Sequence, residues 1–220
     1  MPLDPDLLSG LLRPLSPASR KVYGVVVATV VNNLDSTMEG RVQIHLPWAP
    51  GLDPWARVAS PMAGLAHGAY FMPQIGQEVL VAFEGGDAGA PYVIGALWNT
   101  VDRPPILAPT EAVTRRVMRT PLGHQIDFDD ATQTLTITST TQQTITLDPA
   151  RIELSAGLGV ASVQVTTAGT VTITASASIE LNAPSITING ATAVTIQGGT
   201  SATLNGGALC AVQGALVKIN

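Results

Sequence analysis

The 220-residue chain is acidic, with a formal net charge of -5, and combines 45% hydrophobic with only 12% charged and 4% aromatic residues. That balance argues against a phosphate-binding role, because nucleic-acid affinity comes largely from basic side chains that neutralise phosphates. Three histidines and one cysteine leave little for a metal site and exclude an intrachain disulfide, whereas the apolar content suffices for a substantial core.

The opening stretch, MPLDPDLLSGLLRPLSPASRK, lacks the basic-then-apolar order of a secretory signal, and no run of about eighteen apolar residues occurs anywhere. The expectation is synthesis in the cytoplasm without a signal peptide. Residues 1 to 21 read as a Pro- and Leu-rich linker or docking segment.

From residue 22 to 107 the texture is that of longer strands separated by turn signals: YGVVVATVV, the turn NNLDSTMEG, RVQIHLPW, WARVASPMA, QEVLVAFEGGD and YVIGALWN. About five strands in this span predict a small antiparallel barrel, and the oligonucleotide-binding (OB) architecture fits the count. Gly76, Gly85 and Gly86 stand where the chain must reverse tightly, which suits glycine's access to positive φ. Trp48, Trp55 and Trp98 are the residues that could stack bases on an OB fold, but barrel packing suits so acidic a chain better.

Residues 108 to 133 form a predicted collar. Arg115, Arg116 and Arg119 in TRRVMRT precede Asp127, Asp129 and Asp130 in IDFDD. The arginines are expected either to pair with carboxylates of a neighbouring chain or to lie on a solvated face, where exposed pairs contribute only about 0 to 1 kcal/mol. The three aspartates could bind a cation, yet the spacing of a calcium loop is missing. His45, His67 and His124 are isolated, Ser60 has no basic partner, and neither a nucleophile elbow nor a phosphate-binding loop is present. The chain is therefore expected to be no enzyme, with no cofactor, no catalytic residue and no metal.

From about residue 134 to 220 one motif recurs: TLTITSTT, QTITLDP, RIELSAG, SVQVTTAG, SIELNAP, SITINGA, AVTIQGG and SATLNGG. Alternation of Thr or Ser with Val, Ile or Leu has the period of two of a half-buried strand. An apolar ladder runs through Ile173, Leu181, Ile188, Ile196 and Leu204 in steps of seven or eight residues, and Val212 and Ile219 continue it. Such a repeat is the mark of a β-helix or β-prism. A strand of about eight residues spans some 26 Å, one side of a triangular prism, so three intertwined chains would enclose a core that one chain could not. Interchain pairing would also remove exposed sheet edges. About ten strands stacked near 4.8 Å give a needle on the order of 50 Å long.

The series GRVQIHLPW, WARVASPMAG, MPQIGQEVLVAFEGGD and PYVIGALWN resembles, in order and spacing, the OB domain of the phage baseplate assembly protein V family. That family includes the spikes of contractile phage tails and the valine-glycine repeat protein G (VgrG) of type VI secretion. RTPLGHQIDFDD resembles its transition from barrel to needle. The resemblance implies an all-β chain, an OB-fold barrel followed by an intertwined triple-stranded β-helix (a trimeric β-prism). It also implies a homotrimeric, membrane-puncturing central spike that meets the target membrane only transiently and is assembled into a phage tail or injection particle. The chain departs from the family pattern by carrying neither a hub domain ahead of the barrel nor a muramidase domain after it, which implies a separate hub protein at the barrel end. Residues Leu216, Val217, Lys218, Ile219 and Asn220 are the expected platform for a separate tip protein of the proline-alanine-alanine-arginine (PAAR) class. Alternatives are an adhesin-like β-fibre or an OB-type binding module, and an enzyme on a β-helix, which would need clustered carboxylates or basic residues on one face; no nucleic-acid partner is expected.

Overall fold

Valines and isoleucines at every second position of VVVATVVN, RVQIH, EVLVAF and PYVIGA can bury only one side of each strand, and closing the sheet on itself hides that side from water. The computed structural model describes residues 21–106, 108–157 and 159–219. In it β1 (Val25–Asn32), β2 (Arg41–His45), β3 (Trp55–Val58), β6 (Glu78–Phe83) and β7 (Pro91–Ala96) close a barrel in the order β1-β2-β3-β7-β6. All contacts in it are antiparallel except the β3–β7 closure, which is parallel. Val30, Val42, Ile44, Leu46, Val79, Val81 and Val93 fill it. Two short strands, β4 (Ala63–Gly64) and β5 (His67–Gly68), form a small hairpin between β3 and β6. The predicted tight reversals are present: Gly76 has φ +92° and Gly85 φ +57°. Of the segment 1–21, read above as a linker or docking element, residues 1–20 lie outside the described residues.

The chain divides into two units, Met1–Thr140 and Thr141–Asn220. In the first, β8 (Arg115–Arg119), β9 (Gln125–Asp129) and β10 (Thr134–Thr138) follow the barrel as an antiparallel meander. In the second, β11 (Thr144–Leu147), β12 (Arg151–Ser155), β13 (Ala161–Thr166) and β14 (Val171–Ala175) pair in series, each antiparallel to the next. After them, residues 176–219 carry no strand. No described helix is long and apolar enough to cross a membrane.

Pairing within one chain thus reaches further than interchain pairing from Thr134 would have it. The turns explain why. Asp148 accepts the N–H groups of Ala150 and Arg151, and Gly169 reverses the chain at φ +84°, so β11 to β14 fold back on one another. Beyond residue 176 only Gly207, at φ +61°, is left-handed among the described glycines, and the chain runs on without returning.

Candidate functional site

Cross-strand register decides what the second unit offers to a partner. Ile145 stands opposite Leu154, Leu154 opposite Val163, and Val163 opposite Ile173. The next row is Leu147, Ile152, Val165 and Val171. Eight aliphatic side chains therefore share one face of β11–β14, and none is buried. The opposite face is polar and internally satisfied: Glu153 takes Arg151 at 3.0 Å and the Gln164 amide at 3.1 Å. A contiguous apolar face of this kind marks an interaction surface. The β8–β10 sheet has the same two-sided character, with Met118, Ile126 and Ile137 in one row and Phe128 and Leu135 in the other.

Of the predicted trimer-core residues, Ile173 lies on the β14 part of this face. Leu181, Ile188, Ile196 and Leu204 follow in the extended segment, outside any strand, with Ile188 65% exposed. Ser176 is the last to tie into the sheet, its N–H reaching the Val160 carbonyl at 2.9 Å. Leu216, Val217, Lys218 and Ile219 are exposed, and Asn220 lies outside the described residues. The repeat reading missed Ile145, Leu147, Ile152, Leu154, Val163 and Val165. Their signal was the alternation in TITL, RIELS and SVQVT, but the ladder was followed only where it steps by seven or eight residues.

The predicted collar charges pair within the chain. Because β8 and β9 are antiparallel, Arg115 bonds Asp127 and also meets Glu111 at 3.4 Å, while Arg116 reaches Asp130 at 3.8 Å. Asp127 beside it raises the Arg115 pKa. Asp129 caps the β9–β10 turn by accepting the N–H groups of Ala131 and Thr132. For Arg115 and Arg116 the register thus brings carboxylates alongside in the same sheet. Among the described residues no cluster of His, Cys, Asp and Glu could hold a metal ion. The Ser60 hydroxyl donates to the carbonyls of Ala69 and Met62.

The barrel surface shows how the β1–β2 loop is built. Asp35 accepts the N–H groups of Thr37, Glu39 and Arg41 and the Arg41 guanidinium, and that guanidinium holds its carboxyl well below the usual carboxylate range. Arg41 in turn lies over the Trp55 ring at 5.8 Å, and Arg57 over Tyr92 at 5.6 Å. Trp48 meets Phe83 edge-on but stays 48% exposed, and Trp98, beyond the end of β7, is 70% exposed. Met38, Val58, Met62, Tyr70 and Met72 help line a groove of about 520 Å³ beside the β4–β5 hairpin.

Comparison with known proteins adds two family matches. Residues 26–98 match the type VI secretion system and phage-baseplate injector OB domain, and residues 115–192 match the phage baseplate V C-terminal trimerisation domain. Among curated proteins, the chain is 36% identical over 110 residues to the actin cross-linking toxin VgrG1 of Vibrio cholerae, covering 46% of this chain and 10% of that protein. It is 32% identical over 113 residues to the type VI secretion system spike protein VgrG3 of the same species, covering 47% and 11%. It is also 32% identical over 111 residues to the spike protein VgrG2a of Pseudomonas aeruginosa, covering 46% and 13%. The chain spans about a tenth of the length of these relatives. An OB barrel followed by a trimerisation domain, in the order and spacing of both matches, places it: the chain belongs to the phage baseplate V and VgrG-like spike family.

Proposed function

We propose that the chain forms the barrel and needle of a homotrimeric central spike in a contractile injection system or contractile phage tail, a structural, membrane-puncturing part with no catalytic role. The observation that carries this reading is the uncovered apolar face of β11–β14 continuing into the unpaired ladder from Leu181 onward. Three copies that turn these faces to a common axis would remove this aliphatic surface from water.

The barrel is the end that docks on a separate hub, together with residues 1 to 20. Exposed Met38, Met62, Leu65, Tyr70 and Phe71 around the groove support a protein partner there. Nucleic acid suits this barrel poorly, since Arg41 is neutralised by Asp35 and Glu39, and His45 contacts Asp53 at 2.9 Å. Residues Leu216 to Asn220 are the platform for a PAAR-type tip protein. Exposed Leu216, Val217 and Ile219, flanking a single Lys218, support that role.

Light scattering at micromolar concentration tests the assembly. The expected mass is three times the 22.7 kDa of one chain, and a monomer would refute the reading. Co-purification separates the partners: deleting residues 216 to 220 should lose the tip and keep the hub, and deleting residues 1 to 20 should weaken incorporation into particles.

A further inference from the structure

From Leu181 onward, the position after the last apolar residue of each repeat carries a carboxamide. Asn182 follows Leu181, Asn189 follows Ile188, Gln197 follows Ile196, Asn205 follows Leu204 and Gln213 follows Val212. The column starts where in-chain pairing stops. In the folded-back strands the equivalent positions, after Leu147, Leu154, Val165 and Ile173, hold Asp148, Ser155, Thr166 and Thr174.

Turn chemistry explains only part of the pattern. Asn205 accepts the Gly207 N–H at 3.0 Å, a local bond that needs an acceptor and nothing more. Gln197 and Gln213 occupy the same position, yet glutamine is one methylene too long for that turn, and neither has a hydrogen-bond partner among the described residues. What asparagine and glutamine share is a side chain with both donor and acceptor, which a copy of itself satisfies when stacked at the strand spacing of about 4.8 Å.

We propose that the carboxamides of Asn182, Asn189, Gln197, Asn205 and Gln213 form hydrogen-bonded ladders between copies of this chain, and that these ladders fix the axial register of the three chains. The inference rests on the trimeric needle proposed above. The apolar columns cannot set register alone. Each repeat has two inward apolar positions, such as Ile186 with Ile188 and Val194 with Ile196, so a slip of two residues keeps apolar side chains inside. The same slip moves each amide against a threonine or a corner residue and leaves its donor and acceptor without their match. The amide column distinguishes the correct register from its nearest competitor, much as a single buried amide specifies register in a coiled coil.

The test uses the full chain with Asn189→Asp, Gln197→Glu, Asn205→Asp and Gln213→Glu combined. A carboxylate still accepts the Gly207 N–H, so a turn role leaves this variant as resistant to detergent at neutral pH as the parent. Interchain ladders instead stack like charges. The detergent-resistant trimer should be lost at neutral pH and recovered near pH 4 or below, where protonated carboxyls again offer donor and acceptor. Interchanging Asn and Gln at the same four positions should preserve resistance. If the acidic variant fails to assemble at either pH, the pair Gln197→Ala and Gln213→Ala decides: the ladder expects unfolding about tenfold faster or more, since neither side chain serves a turn. An unchanged unfolding rate, or an acidic variant as resistant as the parent at neutral pH, overturns the ladder while leaving the trimer standing. A monomeric parent overturns both.

Discussion

The barrel and the needle are built from the same alternation of apolar and polar residues, yet one is finished within a single chain and the other is not. In the barrel the sheet closes, every strand has two neighbours, and Ile44, Val42 and Val81 are fully buried. In the second unit the hairpins from β11 to β14 satisfy their ladders but leave one face uncovered, and residues 177–219 leave both face and backbone uncovered. Exposed aliphatic surface is costly in water, and burying it obliges the adjoining backbone groups to find partners. The contrast separates a part that folds alone from a part whose folding is assembly.

Replacing Ile188 with Asp should have the largest effect, because it sets three unpartnered carboxylates against one another at the axis. No trimer should be recovered, while the barrel keeps its fold; light scattering and circular dichroism read the two outcomes. Ile44→Ala should do the reverse, destabilising the barrel by about 2–5 kcal/mol through a core cavity and leaving the trimer's mass unchanged. Calorimetry should then show the barrel transition moving down separately.

Corner glycines give a finer contrast. A Cβ at Gly198 would run into the Ser201 carbonyl, and one at Gly206 into the Leu209 carbonyl, whereas at Gly214 the nearest atom, the Leu216 carbonyl oxygen, is 3.4 Å away. The corner after Gly214 is one residue shorter, and at the other short corner Ala183 already holds the equivalent place. Gly198→Ala and Gly206→Ala should lower the needle's melting temperature, and Gly214→Ala should leave it near the parent value.

The smallest effect concerns acid. The Arg41 guanidinium depresses the pKa of Asp35, so the stability this contact contributes is present above the unfolded carboxylate value near pH 4 and is lost as pH falls further. Between pH 6 and pH 3 the barrel's melting temperature should fall less in Asp35→Asn than in the parent.

The barrel was legible because its strands are local, alternating and separated by strong turn signals, and because Gly76 and Gly85 stand at reversals that require positive φ. The β4–β5 hairpin was not, since two-residue strands such as Ala63–Gly64 carry no period. Asp35 is a local organiser whose three backbone bonds all fall within six residues, and DST in its turn was the available cue. In the second half, alternation identified strand but could not say whose strand is next. Period two looks the same whether Val163 faces Ile173 of its own chain, as it does here, or a residue of another. Asp148 and Gly169 carried the missing information, because a capped reversal returns the chain to itself.

Amide hydrogen exchange along the intact protein tests the division most directly. Residues 177–219 lack a described strand, so in a lone chain their amides would exchange within seconds, while β1, β2 and β6 stayed protected. Interchain ladders give the opposite expectation: protection across 177–219 for hours, equal to or greater than that of the barrel strands. Fast exchange there, beside a protected barrel, would contradict the assembled needle.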